Sequence, residues 1–267
     1  PDRVVFLRKF YKNGSAFADS TDMKDLESIH VKTKLDEAIL SAVRNGKDCV
    51  LTGNPGDGKT HVIRILEDKI KAINCKIEPI YDASTLTTDE IVEKWFEAKK
   101  KKVPFVIAIN ASILYELVQV AGDGLSRIRE AYEQFESGIV CGDSPNFEQH
   151  GVVVFNLGLR SALDPSVVSG VIDQMTDSRN FKDCKKCPFR RECGFRRHAE
   201  IIKSARFRDR IQKVFHRVEL VGWHVTIRDV QAFFSYLVFW NHACKNVVAE
   251  SECDQYRIEN LIYEEGR

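Results

Sequence analysis

The stretch Asp48-Cys-Val-Leu-Thr-Gly-Asn-Pro-Gly-Asp-Gly-Lys-Thr-His61 decides the reading of this chain. Val50, Leu51 and Thr52 close a short apolar run of strand type, and Gly53 to Thr60 then spell G-x-x-x-x-G-K-T. Val62, Ile63, Ile65, Leu66 and Ile70 follow at helical spacing. A loop that wraps a polyphosphate must bring successive backbone N–H groups onto phosphate oxygens, and side chains would block that approach. Gly53, Gly56 and Gly58 therefore leave room. A helix starting near Gly58 aims its unpaired N–H groups and positive dipole end at the same anion. Lys59 supplies a point charge for the β- and γ-phosphates, and the Thr60 hydroxyl suits Mg²⁺. Gly53, Asn54, Pro55, Gly56, Asp57, Gly58, Lys59, Thr60 and His61 are thus the expected nucleotide-binding residues, with ATP and Mg²⁺ as cofactors. The bland alternative, a chance Gly-rich turn, does not account for the strand before the motif and the helix after it.

Bulk composition allows a full core. The chain has 267 residues with 43% apolar content, ordinary for a globular protein and against disorder. Lys and Arg number 40 against 39 Asp and Glu, so net charge selects no partner class. Its distribution says more, because residues 182–217 carry 13 Lys and Arg against four acidic residues. No apolar run approaches the ~20 residues that span a bilayer, and no signal peptide is evident, which predicts a cytoplasmic protein without a membrane partner. Pro1 in place of Met suggests a fragment and leaves room for flanking domains. Five of the eight cysteines are dispersed, which in a cytosolic chain points to buried thiols or metal rather than disulfides.

Leu26, Ile29, Leu35, Ile39, Leu40 and Val43 predict one helix over about 25–44, stopped by Asn45-Gly46. Val4 to Leu7 read as an edge strand or a docking segment. Beyond the motif, residues 75–81 read as a second strand ending at Asp82. Thr87-Thr-Asp-Glu90 opens a helix whose buried face is Ile91, Val92, Trp95 and Phe96. The four lysines from Lys99 to Lys102 read as a solvated helix end. Phe105 to Ile109 and Val152 to Phe155 are apolar strands of the kind buried on both faces, and residues 112–120 and 125–135 are helical. Strands alternating with helices predict a parallel sheet covered on both sides, with ligands beyond the carboxyl ends of the strands. That places weight on Asp82, Asn110 and Asn156.

Hydrolysis needs a carboxylate near Mg²⁺ and a group that orients water. An acidic pair is the usual provision, yet Phe105 to Ile109 runs into Asn110-Ala111. Asn110 suits a water of Mg²⁺ and Asn156 a γ-phosphate sensor. Asp82, with Asp89 or Glu90, is the substitute carboxylate, and a turn-capping role for Asp82 competes equally. Arginines that would neutralise developing charge are Arg127, Arg129, Arg160 and Arg228, each also readable as a solvated surface side chain. Lys59, Thr60, Asn110, Asn156 and Arg228 form the expected catalytic set.

Cys184-Lys-Lys-Cys187-Pro-Phe-Arg-Arg-Glu-Cys193-Gly-Phe-Arg-Arg-His198 is the second signal. A C-x-x-C turn directs two thiolates at one metal, Cys193 adds a third, and His198, Cys244 or an external group completes a tetrahedron. Structural Zn²⁺ on Cys184, Cys187, Cys193 and His198 is the leading reading, ahead of an iron–sulfur cluster or no metal. The surrounding basic residues either keep a small knuckle soluble or contact nucleic acid, with Phe189, Phe195, Phe207 and Phe215 as stacking or core residues. Thr226 and Asp229 make a capping box for an apolar core helix over 230–240, with Arg228 at its start.

Taken together, these residues resemble the AAA+ and STAND-like P-loop ATPases. The motif at 53–60, strands ending at Asn110 and Asn156, and Val225-Thr-Ile-Arg-Asp229 before a helix fall in that family's order. Thr52 to His61, the C-x-x-C-P segment and the T-x-R-D helix are similar to bacterial anti-phage and DNA phosphorothioation-dependent restriction ATPases. The resemblance implies an α/β, three-layer P-loop NTPase fold with a parallel sheet, followed by a Cys-rich knuckle and a helical C-terminal lid. Its expected parts are an N-terminal segment 1–24, a nucleotide-binding domain 25–181, a basic insertion 182–217 and a lid 218–267. It implies Asn110 at the Mg²⁺ strand, Asn156 as first sensor and Arg228 as second sensor. It further implies a homo-oligomer or a place among the subunits of a defence complex, with nucleic acid contacted through residues 182–217. Asn110-Ala111 departs from the family's acidic pair. The expected function is an ATP-binding, ATP-hydrolysing module, and the alternative is a hydrolysis-poor nucleotide-dependent switch or scaffold with a zinc knuckle. A small-molecule kinase fits poorly, since no second substrate site is evident.

Overall fold

The computed structural model describes residues 2–12, 22–73, 79–121, 126–136, 151–187, 190 and 193–239. Over these residues the protein is mixed α/β and mostly helical, with a small parallel sheet of three strands. The chain divides into two compact units: Thr21–Ser161, and Pro1–Ser20 together with Ala162–Arg267.

In the unit formed by Thr21–Ser161, two helices precede the first strand, α2 (Met23–Ile29) and α3 (Lys34–Arg44). The sequence predicts one helix here, and the break has a local cause. Thr33 adopts an extended conformation and forms a capping box with Asp36, so a new helix starts at Lys34. Strand β1 (Asp48–Thr52) follows and leads through the glycine-rich loop into α4 (Lys59–Ala72). Then come α5 (Thr88–Lys101), β2 (Val106–Ala108), α6 (Ala111–Ala121), α7 (Ser126–Glu136) and β3 (Val152–Asn156). Strand β1 lies between β2 and β3, parallel to both, with Leu51 opposite Ala108 and Thr52 opposite Asn156. Of the predicted strand at 75–81, residues 75–78 lie outside the described residues. Ile80 makes a parallel bridge to Ile107.

The pleat sends alternate β1 residues into two different cores. Val50 joins Ile107, Ile109, Val152 and Val154 against Ile91, Trp95, Leu114 and Ile128 from α5, α6 and α7. Cys49 and Leu51 join Val106, Ala108, Val153 and Phe155 against Leu35, Ile39, Ile63 and Leu66 from α3 and α4. A strand buried on both faces has no place for an unpaired charge, yet Asp48 is fully buried. Three donors hold it: Trp95 Nε1 at 2.7 Å, the Phe105 amide at 2.9 Å and Arg127 Nη1 at 2.8 Å. This removes Arg127 from the candidates for nucleotide chemistry. Its guanidinium is engaged at the first residue of β1, whereas the glycine loop follows the last.

The second unit contains α1 (Asp2–Lys12), α8 (Pro165–Met175), α9 (Gly194–Lys203), α10 (Ala205–Leu220) and α11 (Ile227–Phe239). Residues 4–7 are helical rather than a strand. Val4, Leu7 and Phe10 recur at i, i+3 and i+6 and are buried, and α1 packs on α11. The buried Ser235 hydroxyl of α11 donates to the Leu7 carbonyl at 2.8 Å, and Tyr11 and Tyr236 rings stand 4.7 Å apart. Phe195 and Phe239, and Phe215 and Phe233, meet edge to face. Phe195 and Phe215 are therefore core residues, and their reading as stacking platforms does not hold. Phe207 is half-buried, and Phe189 lies outside the described residues. No helix among the described residues is long and apolar enough to cross a membrane.

Candidate functional site

Parallel strands that share a register share an exit edge. The glycine loop leaves β1 after Thr52, Asn156 ends β3 directly opposite Thr52, Asn110 follows β2 by two residues, and Asp82 follows Ile80 by two. The structure thus brings the loop, Asp82, Asn110 and Asn156 to one edge of the sheet. Arg228 belongs to the other unit, as the second residue of α11.

The loop itself is built on glycine conformations. Gly53, Gly56 and Gly58 have φ of 140°, 99° and 91°, values that other residues rarely adopt. At Gly53 space is also limiting: a Cβ there would lie 2.8 Å from both the Gly158 amide nitrogen and Asp57 Oδ2. Asp57 closes the loop from within by accepting from the Asn54 amide at 2.6 Å, while its own amide donates back to the Asn54 carbonyl at 3.2 Å. Gly58 then caps α4 with no side chain on the helix end, so the first N–H groups of α4 have no intrahelical acceptor.

Lys59 Nζ donates to the carbonyls of Gly53 at 2.8 Å and Asn54 at 3.0 Å, folding the ammonium over the loop. An anion in the loop would meet that charge at once. Thr60 Oγ1 donates to the Tyr81 carbonyl at 2.9 Å, which ties α4 to the segment before Asp82. Thr52 Oγ1, at the root of the loop, is buried without a hydrogen-bond partner among the described residues. Glycine backbone, ammonium, hydroxyl and helix end together match what a polyphosphate with Mg²⁺ requires.

The polar residues along the edge are partly committed. Asp82 Oδ1 accepts from the amide and the hydroxyl of Ser84, at 2.9 and 2.7 Å, so the carboxylate caps the turn Ala83–Thr85. Glu90 caps α5 through Thr87. Asn156 Oδ1 accepts from the Gly158 amide at 3.1 Å, leaving its amide NH₂ for other partners. Arg160 reaches the Thr33 hydroxyl at 3.4 Å, and Arg129 is exposed on α7.

His61, the third residue of α4, starts a chain of titratable groups that the motif alone does not reveal. His30 Nδ1 lies 3.2 Å from His61 Nε2, with the rings 5.3 Å apart. His30 Nε2 lies 2.8 Å from the buried Asp36 Oδ1. Burial, followed by the electrostatic influence of His30, pushes His61 down to about 4. For Asp36 burial opposes ionisation, but the contacts from His30 and the Thr33 amide outweigh it and hold the carboxyl below its usual range. The sequence signal was thin, because two histidines 31 residues apart meet only when α2 packs beside α4.

The metal set expected from sequence lies in the other unit. Cys184 and His198 are buried, Cys187 and Cys193 half-buried, and His198 Nδ1 is within 3.0 Å of the Leu237 carbonyl. Among the described residues no group of three or more His, Cys, Asp or Glu side chains is placed to hold a metal ion. Residues 188, 189, 191 and 192, inside this segment, lie outside the described residues, as does Cys244.

No family model matches this chain, and no curated protein and no solved structure matches it either.

Proposed function

We propose that the chain is an ATP-binding module of the AAA+ or STAND-like P-loop type, with the three-layer fold of those NTPases. The observation that carries this is the glycine loop at the end of β1. Positive φ at Gly53, Gly56 and Gly58, no room for a Cβ at Gly53, and the Lys59 ammonium folded over the loop all favour a polyphosphate. Bound Mg·ATP supplies a phosphoanhydride whose hydrolysis releases phosphate. In that reading the amides from Gly56 to Thr60 orient the phosphate chain. Lys59, now on two neutral carbonyls, would hold phosphate oxygens, and Thr60, now on the Tyr81 carbonyl, would help hold the cation. The Asn156 amide NH₂ would meet the terminal phosphate or the water beside it.

A second reading is favoured by particular residues. Asn110 and Ala111 carry no negative charge, and Asp82 is engaged by Ser84. A site without a committed general base binds nucleotide better than it turns it over, which supports a nucleotide-dependent switch or scaffold within a defence or nucleic-acid-processing complex. Titration with fluorescent ATP and GTP in magnesium buffer, alongside phosphate release, separates the two. Saturable binding weakened about 10- to 100-fold by Lys59→Ala supports the nucleotide site, since a charge-assisted hydrogen bond is worth about 1.5–3 kcal/mol. Phosphate release that Lys59→Ala abolishes marks an ATPase, and binding without release marks the switch. No affinity for either nucleotide removes both.

A further inference from the structure

Helix α10 buries Ile211 and Phe215 and turns the opposite face to water. Arg206, Arg210, Lys213 and Arg217 follow one another at spacings of four, three and four residues, so they form one exposed stripe about 17 Å long. Pairs at i, i+4 with the same sign, Arg206 with Arg210 and Lys213 with Arg217, repel and work against the helix that carries them. A face that serves only solubility mixes signs. Here the exposed Asp209 pairs with Lys213 at 2.7 Å, and among the described residues Arg206, Arg210 and Arg217 have no carboxylate within ion-pair distance. Arg208 leaves the stripe and pairs with Asp173 at 2.6 Å. At the end of α10 and in the turn after it, Leu220, Val221 and Trp223 are 73%, 68% and 71% exposed. An indole in water six residues past Arg217 is costly unless something covers it.

We propose that α10 and the turn after it dock single-stranded nucleic acid, with the stripe following the phosphates and Trp223 stacking on a base. Charge complementarity identifies the partner as a polyanion. The exposed indole selects unpaired bases, because a duplex hides their faces while a single strand offers them. The aromatic platform is Trp223 rather than the phenylalanines, since Phe195 and Phe215 are buried. The stripe belongs to the other unit from the glycine loop, and docking there needs no nucleotide.

Fluorescence anisotropy of a labelled oligothymidylate of about 15 nucleotides tests this with the full chain, without ATP, between about 50 and 200 mM salt. Arg210→Gln with Arg217→Gln should weaken binding at least about tenfold at low salt. The double variant should also flatten the slope of log affinity against log salt by about 1.4, about 0.7 for each lost phosphate contact. Trp223→Ala should weaken binding on the order of tenfold without changing the slope. All substituted positions are exposed, and unchanged circular dichroism verifies the fold. Absence of binding by the unmodified chain at about 50 mM salt overturns the proposal. So does equal affinity of the arginine variant. Duplex bound as tightly as the single strand, with Trp223→Ala inert, replaces it with a duplex surface. Loss of ATP binding in Lys59→Ala leaves these outcomes untouched, so the two conclusions fail separately.

Discussion

Replacing Gly53 by alanine tests the loop's architecture directly. The backbone there sits at φ 140°, a region in which a residue with a side chain costs on the order of 1–3 kcal/mol. A Cβ would also stand 2.8 Å from the Gly158 amide nitrogen and 2.8 Å from Asp57 Oδ2. Asp57 can move aside only by releasing the Asn54 amide that it accepts at 2.6 Å, a loss of about 1 kcal/mol at an exposed site. Gly158 has less freedom, because its amide donates to Asn156. Displacing it forfeits that bond, about 1 kcal/mol more, so together the cost is about 3–5 kcal/mol. Gly46→Ala is the matched control: its φ is 70° but nothing lies within 4 Å of the added Cβ, so only the left-handed cost of about 1–2 kcal/mol applies. Urea unfolding followed by the buried Trp95, in a background with Trp223→Phe and Trp240→Phe, reads this unit. Gly53→Ala should lower the midpoint more than Gly46→Ala by the equivalent of about 2–3 kcal/mol. Equal midpoints for the two variants would refute the close approach of the loop to Gly158.

Asp48→Ala should destabilise the same unit by about 3 kcal/mol in the same assay. It strands the Trp95 indole and the Phe105 amide, while Arg127, 30% exposed, recovers part of its loss in water. A change below about 1 kcal/mol would show that the three donors are satisfied elsewhere. Acid should also weaken this unit. His61 titrates at about 4 when folded and near 6.5 when unfolded, so between those values the unfolded chain holds more protons and stability falls as pH is lowered. Below about 4 that contribution is exhausted, after a total loss of up to about 3 kcal/mol. Asp36, with its carboxyl held low, adds a further loss as pH falls through its folded value. Unfolding midpoints of His61→Gln measured from pH 7 down to about 4 should slope less than those of the unmodified chain. Parallel slopes would assign the acid response to other groups.

Much of the sheet was legible in sequence because it is written locally. Val152 to Phe155 and Phe105 to Ile109 are continuous apolar runs, and the glycines, Lys59 and Thr60 mark the loop by type and spacing alone. Capping chemistry was legible too: Thr87 with Glu90 and Thr226 with Asp229 form the boxes that their spacing predicts. What sequence hides is partnership between distant residues. Val4 to Leu7 carry β-branched residues of strand type, yet a helix face toward α11 satisfies them better. Arg127 reads as a surface arginine until its partner, buried Asp48 79 residues earlier, is seen. His30 and His61 belong to the same class. Asp82 was ambiguous because a carboxylate after a strand serves a cation or a turn equally, and only the Ser84 bonds decide what it does here.

The contact between Gly53 and Gly158 has a consequence for how the protein is made. The glycine loop leaves the ribosome before the backbone it leans on, which follows more than a hundred residues later. At ordinary elongation rates that interval is roughly 5–20 s. Throughout it β1 lacks β3 as well, so the nascent segment carries its most recognisable motif without the scaffold that shapes it. A stalled or truncated product ending before Asn156 would display the whole motif to a reader of sequence and still have no finished loop.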